Sequence, residues 1–372
     1  MNASILAATP QQDVEKLDLH HAAAFLDDVS GDERFAFGAA TWLRAWEAGF
    51  LRGRDWKGPV NVYATCGANG LAGFLALAEQ RVKNVPVKAL AGYYWPFRTV
   101  CVATDIESRE RFANAIAEHF LQRPPSTVLR FGPICDSDDG VRALLGALRR
   151  AGWSSLGKRV GVVAKLILPT TVDELRSSVS PSLLKNIDYR RRRIVMNEGQ
   201  LEPERHMLEG NCGAILRELQ IIERASWQGM KGAPKFVGVA QERFWRAIAQ
   251  AQPVAARPVA WLLRCAGRPI AYQVHIETRD IIYKIGSCYD LEWKAYSPGS
   301  LLTYEIFSDA CRRGKRHIDW GRGDSGYKST WGANCEDDYL EEALLFRPGM
   351  LGRTALRLAQ RALPDWTLAS DC

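Results

Sequence analysis

Histidine and methionine are scarce in this chain of 372 residues, with six of the first and five of the second. The only close histidine pair, His20-His21, has no cysteine or carboxylate cluster near it at ligand spacing, so no metal site is expected. Nine cysteines are scattered without a Cys-x-x-Cys pair, and an odd number cannot all pair internally. Reduced thiols in a cytoplasmic setting are the expectation. Long apolar runs are missing as well: the most apolar stretch, residues 160–168, is short and contains Lys165, so no membrane span is expected. The segment from Met1 to Gln12 lacks the basic start and apolar core of a secretory signal. There is no Gly-x-Ser-x-Gly and no cysteine with an evident histidine partner, which argues against an activated serine or cysteine nucleophile.

What is present fits a soluble globular chain, 47% hydrophobic and 24% charged, long enough that two domains are the default. A formal charge of +7 is compatible with an anionic ligand but too weak to imply nucleic acid. The first 60 residues read as helical, with Trp42, Trp46 and Phe50 four apart on a core-facing side. Strands follow at 60–66, 71–79 and 85–91, the first two joined through Asn69-Gly70, a hairpin signal. The order recurs in the second half as strands at 259–265, 270–277 and 281–287, preceded by helices at 212–228 and 236–250.

The parallel continues beyond the meanders. In the first half come a helix at 106–121, a strand at 127–131, a helix at 140–151 and a strand at 160–168. The second half has a helix at 298–313, a strand at 316–320, a short helix at 326–331 and a strand at 339–346. Two tandem α/β (α+β) units are therefore expected, each a mixed, mostly antiparallel sheet flanked by helices. The expected divisions are 1–178, a basic linker helix at 179–200 and 201–372. That linker starts at Ser180-Pro181 and carries Arg190 to Arg193; it reads equally as a solvated connector or as a contributor to phosphate binding.

The two units differ at one helix start. In the second, Ser297 is expected as N-cap, Pro298 as first helical residue and Gly314 as the stop, with no carboxylate in the first turn. Free amides and the positive end of the helix dipole would then face outward at Gly299, a setting suited to phosphate. In the first, Thr104-Asp105-Ile106-Glu107 places acids there, so that copy is expected to bind no anion.

Two helices, an antiparallel meander and a helix with a free start resemble the GNAT acyltransferase fold. The wording is similar to the CelD-type branch, associated with bacterial cellulose and exopolysaccharide genes. It consists of Glu223-x-x-x-Trp227, Gly267-Arg268-Pro269-Ile270-Ala271, Tyr289-Asp290, Ser297-Pro298-Gly299-x-Leu301-Leu302 and Asp319-Trp320-Gly321-x-Gly323-Asp324-x-x-Tyr327-Lys328-x-x-Trp331. The duplicated layout and the Leu184-Lys185-Asn186-Ile187-Asp188-Tyr189-Arg190 linker are also similar to Fem-type aminoacyl transferases. The resemblance implies acetyl-CoA or another acyl-CoA as co-substrate, held at Ser297, Pro298, Gly299, Ser300 and Leu301. Gly286, interrupting a strand where the donor would lie, fits a bulge or close approach.

Acyl transfer to an amine needs a base, oxyanion support and a proton for the thiolate. Asp319 or Asp324 is the candidate base, Asp319 facing opposite to Ile318 and Trp320 on its strand. Tyr327 is the candidate proton donor, since a phenol titrates near a thiol. Lys328 could pair with a phosphate or carboxylate. Trp227, Tyr272, Tyr283 and Trp331, with Glu223, are expected around a cleft for an amino sugar or small amine. The alternatives are a Fem-like transferase whose arginines contact tRNA, or a binding protein on the same fold.

Overall fold

The computed structural model describes residues 14–29, 33–51, 53, 55–67, 70–82, 85–92, 96–97, 100–102, 105–230, 234–253, 255–323 and 326–368. The first half contains β1 (Val14–Asp18), α1 (Leu19–Val29), α2 (Ala40–Phe50), β2 (Trp56–Gly67), β3 (Gly70–Val82) and β4 (Val85–Leu90). It continues through β5 (Cys101–Val102), α3 (Ile106–Gln122), β6 (Val128–Cys135), α4 (Asp139–Arg150) and β7 (Ser154–Ile167). Two helices, α5 (Val172–Ser178) and α6 (Pro181–Asn197), lead into the second half. There follow β8 (Leu201–Met207), α7 (Gly213–Arg224), α8 (Trp227–Met230), α9 (Val239–Ala251), β9 (Arg257–Cys265), β10 (Arg268–Glu277) and β11 (Ile281–Tyr289). After a 3-10 turn at Leu291–Tyr296 come α10 (Pro298–Arg312), β12 (His317–Arg322), β13 (Tyr339–Phe346), α11 (Met350–Ala362) and β14 (Thr367–Leu368).

The repeat is real in its order. The meander β2-β3-β4 is antiparallel, α3 crosses over, and β6 runs parallel to β4; likewise β9-β10-β11 is antiparallel, α10 crosses over, and β12 runs parallel to β11. A short edge strand precedes each meander, β1 on β2 and β8 on β9, in place of the uniformly helical start expected for the first half.

The halves are joined by exchange of their last strands. β13, late in the chain, lies between β6 and β7 of the first half and is antiparallel to both. β7 pairs with β13 along its first part, Tyr339 opposite Val162 and Phe346 opposite Ser154, then with β12, where Asp319 lies opposite Lys165. One continuous sheet of mixed, mostly antiparallel strands results, flanked by helices.

Helix packing joins the halves a second time. Trp42 and Trp46 of α2 are buried, as their spacing predicts, in a core that also contains Phe244 and Trp245 of α9. The Trp42 and Phe50 rings lie 6.3 Å and 5.9 Å from that of Phe244. Gly49 permits this crossing, because a Cβ there would meet the Ala240 carbonyl oxygen at 2.6 Å. Gly49→Ala should therefore force the helices apart and cost about 1–3 kcal/mol, read as a lower urea midpoint.

Candidate functional site

β11 and β12 are paired only over Ile281–Tyr283 and His317–Asp319, and beyond that point they part. Just past it β11 is bulged: Gly286 lies opposite Val274 and Lys284 opposite His275, leaving Ile285 over. The parting strands have two faces, and alternation distributes different chemistry to each.

One face is covered by α10. Ile318 and Trp320 pack there beneath Phe307, whose ring is 5.3 Å from that of Trp320. Gln273 on β10 donates to Thr303 Oγ1 at 2.6 Å and to the Gly299 carbonyl at 3.4 Å. Thr303 donates its proton to the Gly299 carbonyl at 2.8 Å, so the Tyr327 hydroxyl, 3.0 Å away, donates to Thr303. Burial pushes the Tyr327 phenol up from its ordinary range. His275 Nε2 lies 3.3 Å from Gln273 Oε1, and burial brings the imidazole down to about 3, so it is neutral.

The start of α10 is tighter than the sequence suggests. Ser297 sits at the N-cap position with a left-handed φ of 49°, and its side chain makes no capping bond. Its carbonyl accepts from Ser300 N at 3.0 Å and Leu301 N at 3.3 Å, while its own N–H reaches the Lys294 carbonyl at 3.1 Å. Pro298 is buried and has no N–H. Of the outward amides expected, that of Gly299 is left without a bond among the described residues, because Pro298 has none to offer and that of Ser300 closes a 3-10 turn on Ser297. Leu301 is buried in the core beneath the helix. In the first half Asp105 is the cap, accepting from Ser108 N at 2.7 Å; Thr104 lies outside the described residues.

The linker arginines serve this helix. Arg190 donates to the Ala295 carbonyl at 2.7 Å, Arg191 pairs with Glu305 of α10, and the Arg193 guanidinium stands 5.3 Å over the Tyr296 ring. The basic run thus clamps the turn that aims α10.

The opposite face opens into a cleft of about 1260 Å3 where β7, β11 and β12 meet the segment 334–338. Asp319 and Tyr283 line it. Asp319 is 6% exposed and accepts from the Gly321 amide at 2.8 Å, while Tyr283 is set edge-on to Phe37 at 4.9 Å. Asp338 is paired with Lys165 at 2.6 Å in the same cleft. Cys135, Asp136 and Asp338 place ligand atoms within 4.8 Å of one another, but Lys165 and the Tyr339 amide already engage the two carboxylates.

Several residues expected around a substrate have structural work instead. Glu223 is fully buried, accepting from the amides of Lys235, Phe236 and Val237 and from the Tyr272 hydroxyl at 2.7–2.9 Å. Tyr272 is equally buried and is not among the residues that line this cleft. Lys328 donates to the carbonyls of Trp320, Gly321 and Arg322 at 2.9–3.0 Å, locking the end of β12. Trp331 is core, edge-on to Phe307 at 5.3 Å. Trp227, on α8, is 44% exposed and is not among the residues that line this cleft. The close approach at Gly286 is to Lys235 and Phe236, at 3.5 Å from a Cβ placed there. Asp324 lies outside the described residues. Gln273, Thr303 and Lys284 escaped the sequence reading, although a lone lysine in the apolar strand IIYKIGSCY is a signal.

The residues here suit an acyl-CoA: an unbonded amide at a helix start, a glycine with room before it, and an opening between parallel strands. Residues 182–329 match the model of a family described as the acetyltransferase (GNAT) domain. No curated protein matches the chain. Among solved structures, FemX superposes with a TM-score of 0.57 at 11% identity, covering 92% of this chain and 99% of that one. The C-terminal DUF2156 domain of a proposed lysylphosphatidylglycerol synthetase from Agrobacterium fabrum gives 0.52 at 12%, covering 92% and 97%. A conserved protein of unknown function from Bacteroides thetaiotaomicron gives 0.50 at 12%, covering 91% and 100%. At such identities the likeness is one of fold. The chain is a mixed α/β protein whose residues 182–329 match the acetyltransferase (GNAT) domain model.

Proposed function

We propose that the protein is an acyl-CoA-dependent N-acyltransferase, with acetyl the preferred acyl group, acting on an amino sugar or small amine by direct attack in a ternary complex. The observation that carries this is the parting of β11 and β12 at Tyr283 and Asp319, with a helix start at one mouth and a cleft at the other. The donor's pyrophosphate lies at Gly299, its thioester between the strands, and the acceptor in the cleft. Asp138, Asp280, Asp319, Asp337 and Asp338 line that cleft against Lys165, Arg279 and Arg316. Five carboxylates against three cations favour an ammonium-bearing acceptor. Asp319 takes the amine's proton, and the first half shapes the acceptor side. Acyl-CoA supply places the reaction in the cytoplasm, and the CelD-like wording points to polysaccharide or envelope precursors.

A Fem-like use of tRNA finds less support, because Arg190, Arg191 and Arg193 are engaged within the chain. Acetyl-CoA at a hundredfold excess over its Kd should stabilise the fold by about 2.7 kcal/mol in a thermal-shift series. Gly299→Glu should remove that shift without unfolding the protein, since among the described residues its Cβ meets only Tyr289 Cδ1 at 3.6 Å. A shift retained in this variant would move the donor elsewhere, and steeply salt-dependent tRNA binding without any acyl-CoA shift would favour the Fem-like reading.

A further inference from the structure

We infer that Lys284 meets the sulfur of the departing coenzyme and gives it a proton as the acyl group leaves, a role that rests on the acyl-CoA reading above. Lys284 is the first β11 residue beyond the last pair with β12 and immediately precedes the bulged Ile285. Its ammonium lies on the α10 face, 4.9 Å from the Trp320 ring centroid and 5.9 Å from that of Tyr327. Asp319 lines the cleft on the opposite face. A base and an acid thus stand on the two sides of the opening through which a thioester would pass.

Among the described residues no carboxylate charge acts on Lys284. Among the described residues no hydrogen bond or ion pair engages its Nζ; only the two rings do. The titratable groups facing it are Lys328, Tyr327 and His275. Lys328 is already bonded to three carbonyls, Tyr327 donates to Thr303, and His275 is neutral. Burial, reinforced by the Lys328 charge, brings the Lys284 ammonium down to about 7, so its proton is mobile near neutrality. A cation held only by aromatic faces is incompletely compensated, and a thiolate forming beside it supplies the missing charge.

The step balances. The acceptor ammonium gives one proton to water, its neutral nitrogen attacks the thioester carbonyl, the C–N bond forms, and the nitrogen's surplus proton passes to Asp319 and from there to solvent. The tetrahedral centre collapses with cleavage of C–S, the sulfur takes a proton from Lys284 Nζ, and Lys284 is reprotonated from solvent. Nothing is oxidised or reduced.

Calorimetric titration of the full-length protein with CoA and with desulfo-CoA at pH 7.5 tests this. Wild type should prefer CoA by about tenfold, the size of one charge-assisted hydrogen bond to sulfur, and Lys284→Met should bind both equally. The thiolate absorbance of bound CoA should also appear at lower pH in wild type than in Lys284→Met or Lys284→Gln. Equal binding of CoA and desulfo-CoA by wild type overturns the proposal without recourse to a variant. A preference that survives in Lys284→Met overturns it as well. Failure of both nucleotides to bind removes the donor reading itself, and this role with it.

Discussion

Replacing Glu223 by alanine is expected to lower the unfolding free energy by about 3–5 kcal/mol, measured by urea denaturation followed by circular dichroism. The carboxylate is wholly buried and accepts four hydrogen bonds, three from consecutive amides at 235–237 and one from Tyr272. Alanine would leave four donors without their acceptor, those of Phe236 and Tyr272 wholly buried, and the loop leading into α9 would lose its anchor. Tyr272→Phe removes one donor and keeps three, so its cost should be near 1 kcal/mol. The contrast is diagnostic. A substrate-binding glutamate would raise KM on substitution and leave the urea midpoint in place, and that result would refute the structural role.

Asp319→Asn should reduce kcat by about 10²–10⁴-fold while leaving stability nearly unchanged. The asparagine carbonyl oxygen can still accept from the Gly321 amide, so the turn after Asp319 keeps its support. What disappears is the capacity to take a proton from the attacking amine in the cleft. The check is CoA release from acetyl-CoA with an amine acceptor, together with a urea titration of the variant. Turnover at the wild-type rate would transfer the base to another carboxylate, with Asp324 the first to try.

The repeated order of meander, helix and parallel strand could be read from the chain because each element carries its own local signal. α3 shows this: Phe112, Ile116 and Phe120 recur at helical spacing behind an aspartate cap. β8, with the sequence LEPERHM, shows the opposite case. It is an edge strand, exposed or half-exposed throughout, so nothing forces apolar alternation on it. The strand exchange left no trace in the sequence, since β7 and β13 would show the same pattern beside other partners. Orientation within a strand was more accessible: alternation alone set Asp319 opposite to Ile318 and Trp320. The environment of Glu223 was not, because its partners come from a loop a dozen residues away in the chain, whose carbonyls are held over it by Gln220 of α7 and Trp245 of α9. Lys328 was misjudged for a similar reason, as three carbonyls converge on it only once β12 turns.

The strand exchange makes the order of the gene and the order of the fold disagree. β13 is encoded near the end of the chain, yet it fills the middle of the first half's sheet, between β6 and β7. A premature stop shortly before residue 339 would therefore injure the amino-terminal half first, opening a gap between strands translated long before. The molecule resembles two subunits that have traded arms and been fused into one polypeptide, and neither could be inherited without the other.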